Sequence, residues 1–269
     1  MNAPDRQVTE LVLRETLEPD LAKLTLNRPN AFNALSESML TALQIELDTI
    51  SKDQTIRVVI LAGSGRAFCA GHDLKEMRAA YVDDSSVEYY KALFAQCSHM
   101  MLTLQKMPQP VIAQVHGIAT AAGCQLVAMA DLAVASSETR FAVSGINYGL
   151  FCSTPSVGLS RNLLRKPAME MLLTGDFIDA QQAKDQGLIN QVCAHDDLNQ
   201  TATDLAHKIM TKPEAAVRIG KQLFYAQLEV GVELAYEMAG QTMACNMMDS
   251  DALEGVQAFI EKRKPNYKL

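Results

Sequence analysis

The chain has 269 residues, 48% of them hydrophobic and 20% charged, a composition that suits a globular protein with a sizeable core. Its 24 Lys and Arg residues against 31 Asp and Glu residues give a net charge of −7, which argues against nucleic-acid binding. The six cysteines include no C-x-x-C pair and no histidine at ligand spacing, which predicts free thiols and no metal site.

The beginning of the sequence, MNAPDRQVTE, lacks the pattern of a targeting segment. It has neither the apolar core of a signal peptide nor the Arg-rich amphipathic pattern of a transit peptide. Elsewhere, no apolar run approaches the length that crosses a bilayer. We therefore expect a soluble cytoplasmic protein without a membrane partner.

Strands and helices alternate along most of the chain. Alternating apolar and polar residues predict an opening hairpin, with strands at 8–14 and 21–26 and a turn at 15–20. Apolar runs predict buried strands at 56–61, 111–115 and 132–135, and a short strand is predicted at 188–192. Apolar residues three and four apart predict helices, at 39–50, 87–106, 122–130, 168–174, 180–186, 196–210, 213–228, 233–248 and 251–262. This order indicates an α/β fold with mostly parallel strands.

Beyond residue 195 only helices are predicted, and no Gly-, Ser- or Pro-rich linker marks the change. We therefore expect a mixed core over 1–195 and an appended helical region over 196–269.

Two segments share one pattern, GRAFCAGHDLKEM at 65–77 and HGIATAAGCQL at 116–126. In each, an apolar strand ends in Gly and Ala, and a segment compatible with a helix follows. Small residues let a ligand approach the backbone closely, and the N–H groups that open a helix have no partner within it. Brought together, two such turns would hold one carbonyl oxygen between two main-chain donors, which is an oxyanion hole.

A third segment, FAVSGINYGLFCSTP at 141–155, is rich in Gly and Ser. We predict an irregular loop there, closed by Pro155, because proline stops regular structure.

These motifs together resemble the crotonase superfamily, also called the enoyl-CoA hydratase/isomerase family. The resemblance covers nearly the whole chain and includes NRPNAFNAL at 27–35, MLLTGDFIDAQQAKDQGLIN at 171–190 and AFIEKRKP at 258–265. It implies a crotonase-type spiral of ββα units that holds an acyl-CoA site, followed by a C-terminal helical trimerisation region. It also implies a homotrimer or dimer of trimers, with a coenzyme A thioester as ligand and no permanently bound cofactor.

The same resemblance assigns residues to the site. The oxyanion donors would be the backbone N–H groups of His72 and Ala122. Most relatives have Gly at the second position, and Ala keeps the N–H if the turn needs no positive φ there. The positions that match the coenzyme A channel are Asn30, Ala31, Phe32, Asp73, Leu74, Lys75 and, in the tail, Phe259 and Lys262. The two lysines would supply positive charge for the phosphates.

The sequence departs from the family at the two glutamates that activate water in the hydratases. Gln125 occupies the first place and Gly145 the second. General acid–base catalysis is worth about 10²–10⁴-fold per group, and neither residue has useful basicity, so ordinary hydration is not expected. The residues that could replace the pair are His72, Ser144, Asn147, Tyr148, Cys152, Ser153 and Thr154.

Each replacement also has a structural interpretation. His72 would merely line the channel, and Cys152 would be a buried inert thiol, since the sequence shows no neighbour that stabilises a thiolate. Two functions stay open. The first is an enzyme of acyl-CoA metabolism that stabilises a thioester enolate without standard water addition. The second is a non-catalytic acyl-CoA-binding or regulatory protein. The net charge of −7 disfavours a third, an RNA-associated oligomer.

Overall fold

A computed structural model describes residues 10–267 of the chain. Within these residues the strands are β1 (Val12–Glu18), β2 (Leu21–Leu26), β3 (Val58–Gly63), β4 (Val111–Val115), β5 (Ile118–Thr120), β6 (Leu132–Ser136), β7 (Arg140–Ala142), β8 (Ile178–Asp179) and β9 (Gln191–Cys193). The α-helices of the same range are α1 (Glu37–Lys52), α2 (Leu74–Ala79), α3 (Val87–Lys106), α4 (Ala122–Met129), α5 (Ser153–Asn162), α6 (Arg165–Thr174), α7 (Ala180–Asp185), α8 (Leu198–Met210), α9 (Glu214–Gln227), α10 (Val232–Asn246) and α11 (Ser250–Ile260).

Two sheets carry the fold. The larger has six strands in the order β1-β2-β3-β4-β6-β9, in which β1 and β2 are antiparallel and all other neighbours are parallel. The smaller has the order β5-β7-β8. Strand β5 leads directly into α4, and β7 leads into the loop at 143–152. Because β5 pairs with β7, the segments 116–126 and 141–155 lie next to each other.

The large sheet is buried on both faces. On β3, Val58 and Ile60 belong to one apolar cluster, together with the apolar face of α8. Val59 and Leu61 point to the other face and join the main core with α1 and α3. This explains why β3 reads as a continuous apolar run rather than an alternating one.

Helix α9 is anchored to the core by a buried ion pair. The Nζ atom of Lys221 lies 2.7 Å from Oδ2 of Asp131 and donates hydrogen bonds to the carbonyls of Leu104 and Gln109. The hydroxyl of Tyr225 donates to Oδ1 of the same aspartate at 2.9 Å. The buried charges are therefore paired and further hydrogen-bonded, as a low-dielectric interior requires.

Three predicted elements differ from the structure. Pro155 does not close an irregular loop, because it is the third residue of α5, where proline loses no helical hydrogen bond. The strand predicted at 188–192 lies at β9 instead, since residues 188–190 turn back onto α7 and β6 through hydrogen bonds to Ala183 and Ala133. Strand β1 continues through most of the predicted turn at 15–20, and residues 8 and 9 of the predicted first strand lie outside the described residues.

Helices α10 and α11 expose most of their apolar side chains. In these two helices only Asp251 and Ala258 are buried. The exposed apolar residues of these helices include Leu234, Tyr236, Met243, Leu253, Val256, Phe259 and Ile260. Helix α8, by contrast, packs against the large sheet. The domain boundary near residue 195 stays a prediction.

Candidate active site

Backbone hydrogen bonds join the first two candidate turns along their length. The N–H of Phe68 donates to the carbonyl of His116 at 3.1 Å, and the N–H of Cys69 donates to that of Ile118 at 3.2 Å. In return, the N–H of Thr120 donates to the carbonyl of Cys69 at 3.0 Å. The two segments therefore run side by side like short parallel strands, and each then continues into a helix.

Gly71 is a point of close approach between the turns, next to the two predicted donors. Its φ is +90°, and a Cβ there would lie 2.9 Å from Cβ of Ala121, 3.0 Å from the carbonyl oxygen of Thr120 and 3.2 Å from the nitrogen of Ala122. An L side chain is disfavoured by the φ value and crowded by these atoms. The absence of a side chain thus lets the peptide unit between Gly71 and His72 lie against the first residue of α4.

The N–H groups of His72 and Ala122 are both free at this junction. Within residues 10–267, neither donates a hydrogen bond to another protein group. Ala122 is the first residue of α4, so its N–H has no partner in the helix. The positive φ of this turn, 48°, falls on Ala121 and not on Ala122. The turn therefore keeps the second predicted donor without requiring glycine at that position.

The loop at 27–35 holds the first turn in place from the opposite side. The side chain of Asn33 is fully buried and donates to the carbonyls of Ser64 and Ala67 at 2.9 and 2.8 Å. Its Oδ1 accepts the N–H of Arg28, whose guanidinium in turn pairs with Asp73 at 2.6 Å. Since Asp73 also caps α2, this network fixes the backbone on both sides of the first turn.

A cavity of about 350 Å³ opens beside the junction. Its walls contain none of the described Asp, Glu, Lys or Arg side chains; the lining residues are Ala70, His72, Leu74, Met77, Phe94, Thr120, Ala121, Ala122, Ser144, Gly145, Tyr148, Leu150, Phe151, Cys152, Ser153, Thr154 and Pro155. This volume is typical of small-ligand sites, and the mostly apolar lining suits an apolar group.

The imidazole of His72 is neutral at neutral pH. Burial lowers its pKa below the ordinary value of 6.5, and the nearby carbonyl of Leu35 offsets only part of that effect. Both ring nitrogens are buried and make no hydrogen bond, and the ring packs edge-on against Phe94 with 5.5 Å between centroids. The side chain therefore adds no charge to the cavity.

The two positions of the missing glutamates differ in their surroundings. Gly145 lines the cavity, but a Cβ there would lie 2.5 Å from the carbonyl oxygen of Leu150 and 2.8 Å from Sγ of Cys152. Gln125 is buried, its Oε1 has no hydrogen-bond partner, and it does not line the cavity. A glutamate at 145 is thus excluded by the loop itself, unless the backbone moves.

Most of the residues predicted as replacements line the cavity. Asn147 is the exception, and Tyr148 stands at the mouth with 74% of its surface exposed. Cys152 is buried, which raises the pKa of its thiol, although the N–H of Gly145 partly opposes that shift. A protonated thiol is a poor nucleophile, so the structural interpretation of Cys152 agrees with its surroundings.

The predicted coenzyme A residues are brought together only in part. Leu74 lines the cavity, and Lys75 is exposed beside it in the first turn of α2. Asn30 and Ala31 form a short 3₁₀ turn that ends at Phe32, whose half-exposed ring lies 5.5 Å below the guanidinium of Arg66. The tail residues Phe259 and Lys262 do not line the cavity, and Phe259 is 84% exposed.

Sequence reasoning missed several residues that shape the site. Asn33 lies within the quoted loop motif, and its tolerance of a positive φ, here 55°, was the signal available. Phe94 and Met77 appear in sequence only as apolar helix positions, so nothing marks them as cavity walls.

Comparison with known proteins identifies the class to which this fold and site belong. The family model described as enoyl-CoA hydratase/isomerase matches residues 17–269. The chain belongs to the enoyl-CoA hydratase/isomerase family, which confirms the predicted crotonase-type α/β fold. The solved structure of an enoyl-CoA hydratase from Mycobacterium smegmatis is 59% identical, with a TM-score of 0.92 over 96% of this chain and 99% of that one.

Within the family, the chain resembles enoyl-CoA hydratase domain-containing protein 3. The rat protein of that name is 42% identical over 94% of this chain and 83% of its own length. The human one has a solved structure that is 39% identical, with a TM-score of 0.89 over 96% of this chain and all of that one. The motifs GHDLKE, AAGCQLVA and GLFCSTP predicted this branch, and the comparison confirms it.

The prediction of a cytoplasmic protein is wrong by the same comparison. The rat and human relatives are both named as mitochondrial proteins. The prediction depended on the first ten residues, of which the first nine lie outside the described residues. Composition could not correct it, because a folded globular protein has the same apolar core and charged surface in either compartment.

Two further features concern the part of the chain that the structure describes, residues 10–267. None of its helices is both long enough and apolar enough to cross a membrane. Likewise, residues 10–267 contain no group of three or more His, Cys, Asp or Glu side chains placed to hold a metal ion.

Proposed function

We propose that this protein binds acyl-CoA thioesters and stabilises their enolates through the backbone N–H groups of His72 and Ala122. The observation that carries the proposal is that both N–H groups are free and lie where two turns meet at the wall of one cavity. A thioester oxygen placed between them would accept two hydrogen bonds that strengthen as negative charge develops on it. Its acyl chain would occupy the cavity.

Ordinary water addition is not part of the proposal. No carboxylate from the described residues lines the cavity, and position 145 has no room for one. The amide of Gln125 can donate and accept hydrogen bonds, but it cannot take a proton from water. The proposed reaction class is therefore proton exchange or isomerisation next to the thioester. The α-proton passes to water in the cavity to leave an enolate, and a solvent proton returns to carbon.

The lack of carboxylates also favours the alternative, an acyl-CoA-binding protein without catalysis. Such a protein would use the same two donors and the same cavity, and it would act by sequestering its ligand. The two candidates differ only in whether the α-carbon of a bound thioester exchanges its protons.

We also propose that α10 and α11 carry the subunit contacts of a trimer or dimer of trimers. Their apolar side chains are exposed in the single chain, and an apolar surface of this extent usually marks an interface. Phe259 and Lys262 would then lie at a coenzyme A site completed by a neighbouring subunit. Light scattering would measure the mass in solution, and a species of 29.4 kDa would contradict this assembly.

Replacement of Ala122 by proline tests the oxyanion hole. Proline removes the N–H but is tolerated as the first residue of a helix. We expect the rate of α-deuterium incorporation into hexanoyl-CoA in D₂O, followed by mass spectrometry, to fall about 10²–10³-fold. Ala122→Gly keeps the N–H and serves as the matched control, with folding of both variants checked by circular dichroism.

The outcomes separate the two candidates. Exchange by the wild type that is lost in Ala122→Pro but kept in Ala122→Gly supports the enzyme. Tight binding of hexanoyl-CoA without exchange in the wild type supports the binding protein. If neither acyl-CoA binding nor exchange is detected, both proposals are wrong.

A further inference from the structure

The cavity is neutral in a way that restricts what can enter it. None of its lining residues among those described is Asp, Glu, Lys or Arg, although 20% of the chain consists of these four types. Apolar side chains form the walls away from the turn, among them Met77, Phe94 and Phe151. The polar groups that remain are the free backbone N–H groups at the junction and the hydroxyls of Thr120, Ser144, Tyr148, Ser153 and Thr154.

Three titratable side chains face this space, and none of them offers a positive charge at neutral pH. His72 is neutral because its imidazole is buried, and Cys152 is a buried thiol. Tyr148 stands at the mouth and carries a phenol. On the helix that contributes Met77, the exposed side chain of Lys75 is not part of the lining.

We propose that the site selects acyl groups that are uncharged along their whole length and rejects those that end in a carboxylate. This inference rests on the proposed acyl-CoA site and narrows its substrate class. A carboxylate inside the cavity would lose its water and find no cation in return, only the neutral hydroxyls of the lining Ser, Thr and Tyr side chains. Between two thioesters with the same coenzyme A and the same chain length, the terminal charge alone would then decide affinity.

The size of the discrimination has a physical ceiling. A terminal carboxyl group can escape the penalty by binding in its protonated form. An aliphatic carboxyl has a pKa of about 4.3, so protonation at pH 7 limits the loss of affinity to roughly 500-fold. Below pH 7 this ceiling falls about tenfold for each pH unit, because more of the ligand is already protonated. A purely steric exclusion would not depend on pH in this way.

The test compares hexanoyl-CoA with adipoyl-CoA, which has a chain of the same length that ends in a carboxylate. We expect calorimetry on the wild-type protein at pH 7 to show adipoyl-CoA binding between about 100-fold and 500-fold more weakly. The ratio should shrink severalfold at pH 6. A ratio below about 100-fold at pH 7, or one that stays constant between the two pH values, overturns the inference.

A variant supplies the missing charge. Met77→Lys places an ammonium group on an unbranched side chain at the wall, and Met77→Gln is the neutral polar control. We expect adipoyl-CoA to bind at least about tenfold more tightly to Met77→Lys than to Met77→Gln. If both variants are folded and bind adipoyl-CoA equally, charge does not set the selectivity and the inference is wrong.

These results are distinguishable from a failure of the proposed function. If neither thioester binds the wild type, the acyl-CoA site itself is wrong. If both bind with similar affinity, the site stands and only its selectivity for uncharged acyl groups is refuted. The wild-type pH series needs no substitution, so it remains decisive even if a Met77 variant does not fold.

Discussion

Replacement of Gly71 by alanine is expected to separate the two turns that form the candidate oxyanion hole. The new Cβ would lie 2.9 Å from Cβ of Ala121 and 3.2 Å from the nitrogen of Ala122. A φ of +90° costs a non-glycine residue about 1–2 kcal/mol, and relief of the contacts adds about 1–3 kcal/mol. We therefore expect the free energy of unfolding to fall by about 2–5 kcal/mol. Urea denaturation followed by circular dichroism measures it.

Gly149 provides the control that isolates the close approach. Its φ is +78°, similar to that of Gly71, but a Cβ there would meet no atom within 4 Å. Gly149→Ala should therefore show the backbone cost alone, about 1–2 kcal/mol. Gly71→Ala should also weaken hexanoyl-CoA binding, because the Ala122 N–H moves away from the thioester oxygen. Equal losses of stability and affinity in the two variants would refute the account of how the turns meet.

Two further predictions concern the buried charges and the buried imidazole. Lys221→Met leaves Asp131 buried without its cation, and urea denaturation should show that the free energy of unfolding falls by about 3–5 kcal/mol. The control Lys91→Met breaks an exposed pair with Glu88 and should lower it by less than about 1 kcal/mol. Similar losses in both variants would contradict the anchoring role of Lys221. The pKa of His72 is lowered in the folded state, so at acidic pH the native protein binds fewer protons at this residue than the unfolded chain does. The free energy of unfolding therefore falls as the pH falls below about 6.5, by at most about 1.4 kcal/mol per pH unit. His72→Gln should flatten denaturation midpoints measured between pH 7 and pH 5, and an unchanged pH dependence would show that the imidazole is not the group responsible.

Much of the fold follows from local patterns in the sequence. The continuous apolar run of β3 indicates a strand buried on both faces, and the structure has apolar clusters on each side of it. The apolar stripe of α8 likewise predicts a helix with one buried face, but only the structure shows that this face packs against the large sheet. Such patterns are readable because burial selects side chains at a fixed period of two or of 3.6 residues. Pro155 shows the limit of this reading, since proline fits both the end of a loop and the first turn of a helix.

The candidate site, like the fold, has some parts that the sequence alone predicts and others that only the tertiary structure shows. The sequence by itself determined the two turns, because small residues between a strand and a helix have a recognisable local pattern, and its resemblance to the family assigned the donors to His72 and Ala122. Only the tertiary structure decided that Gly145 has no room for a side chain and that Phe94 forms a wall of the cavity. The physical reason is that the space and charge at a point are set by atoms from distant parts of the chain. Local periodicity reports which face of an element is buried, but not which other element packs against it.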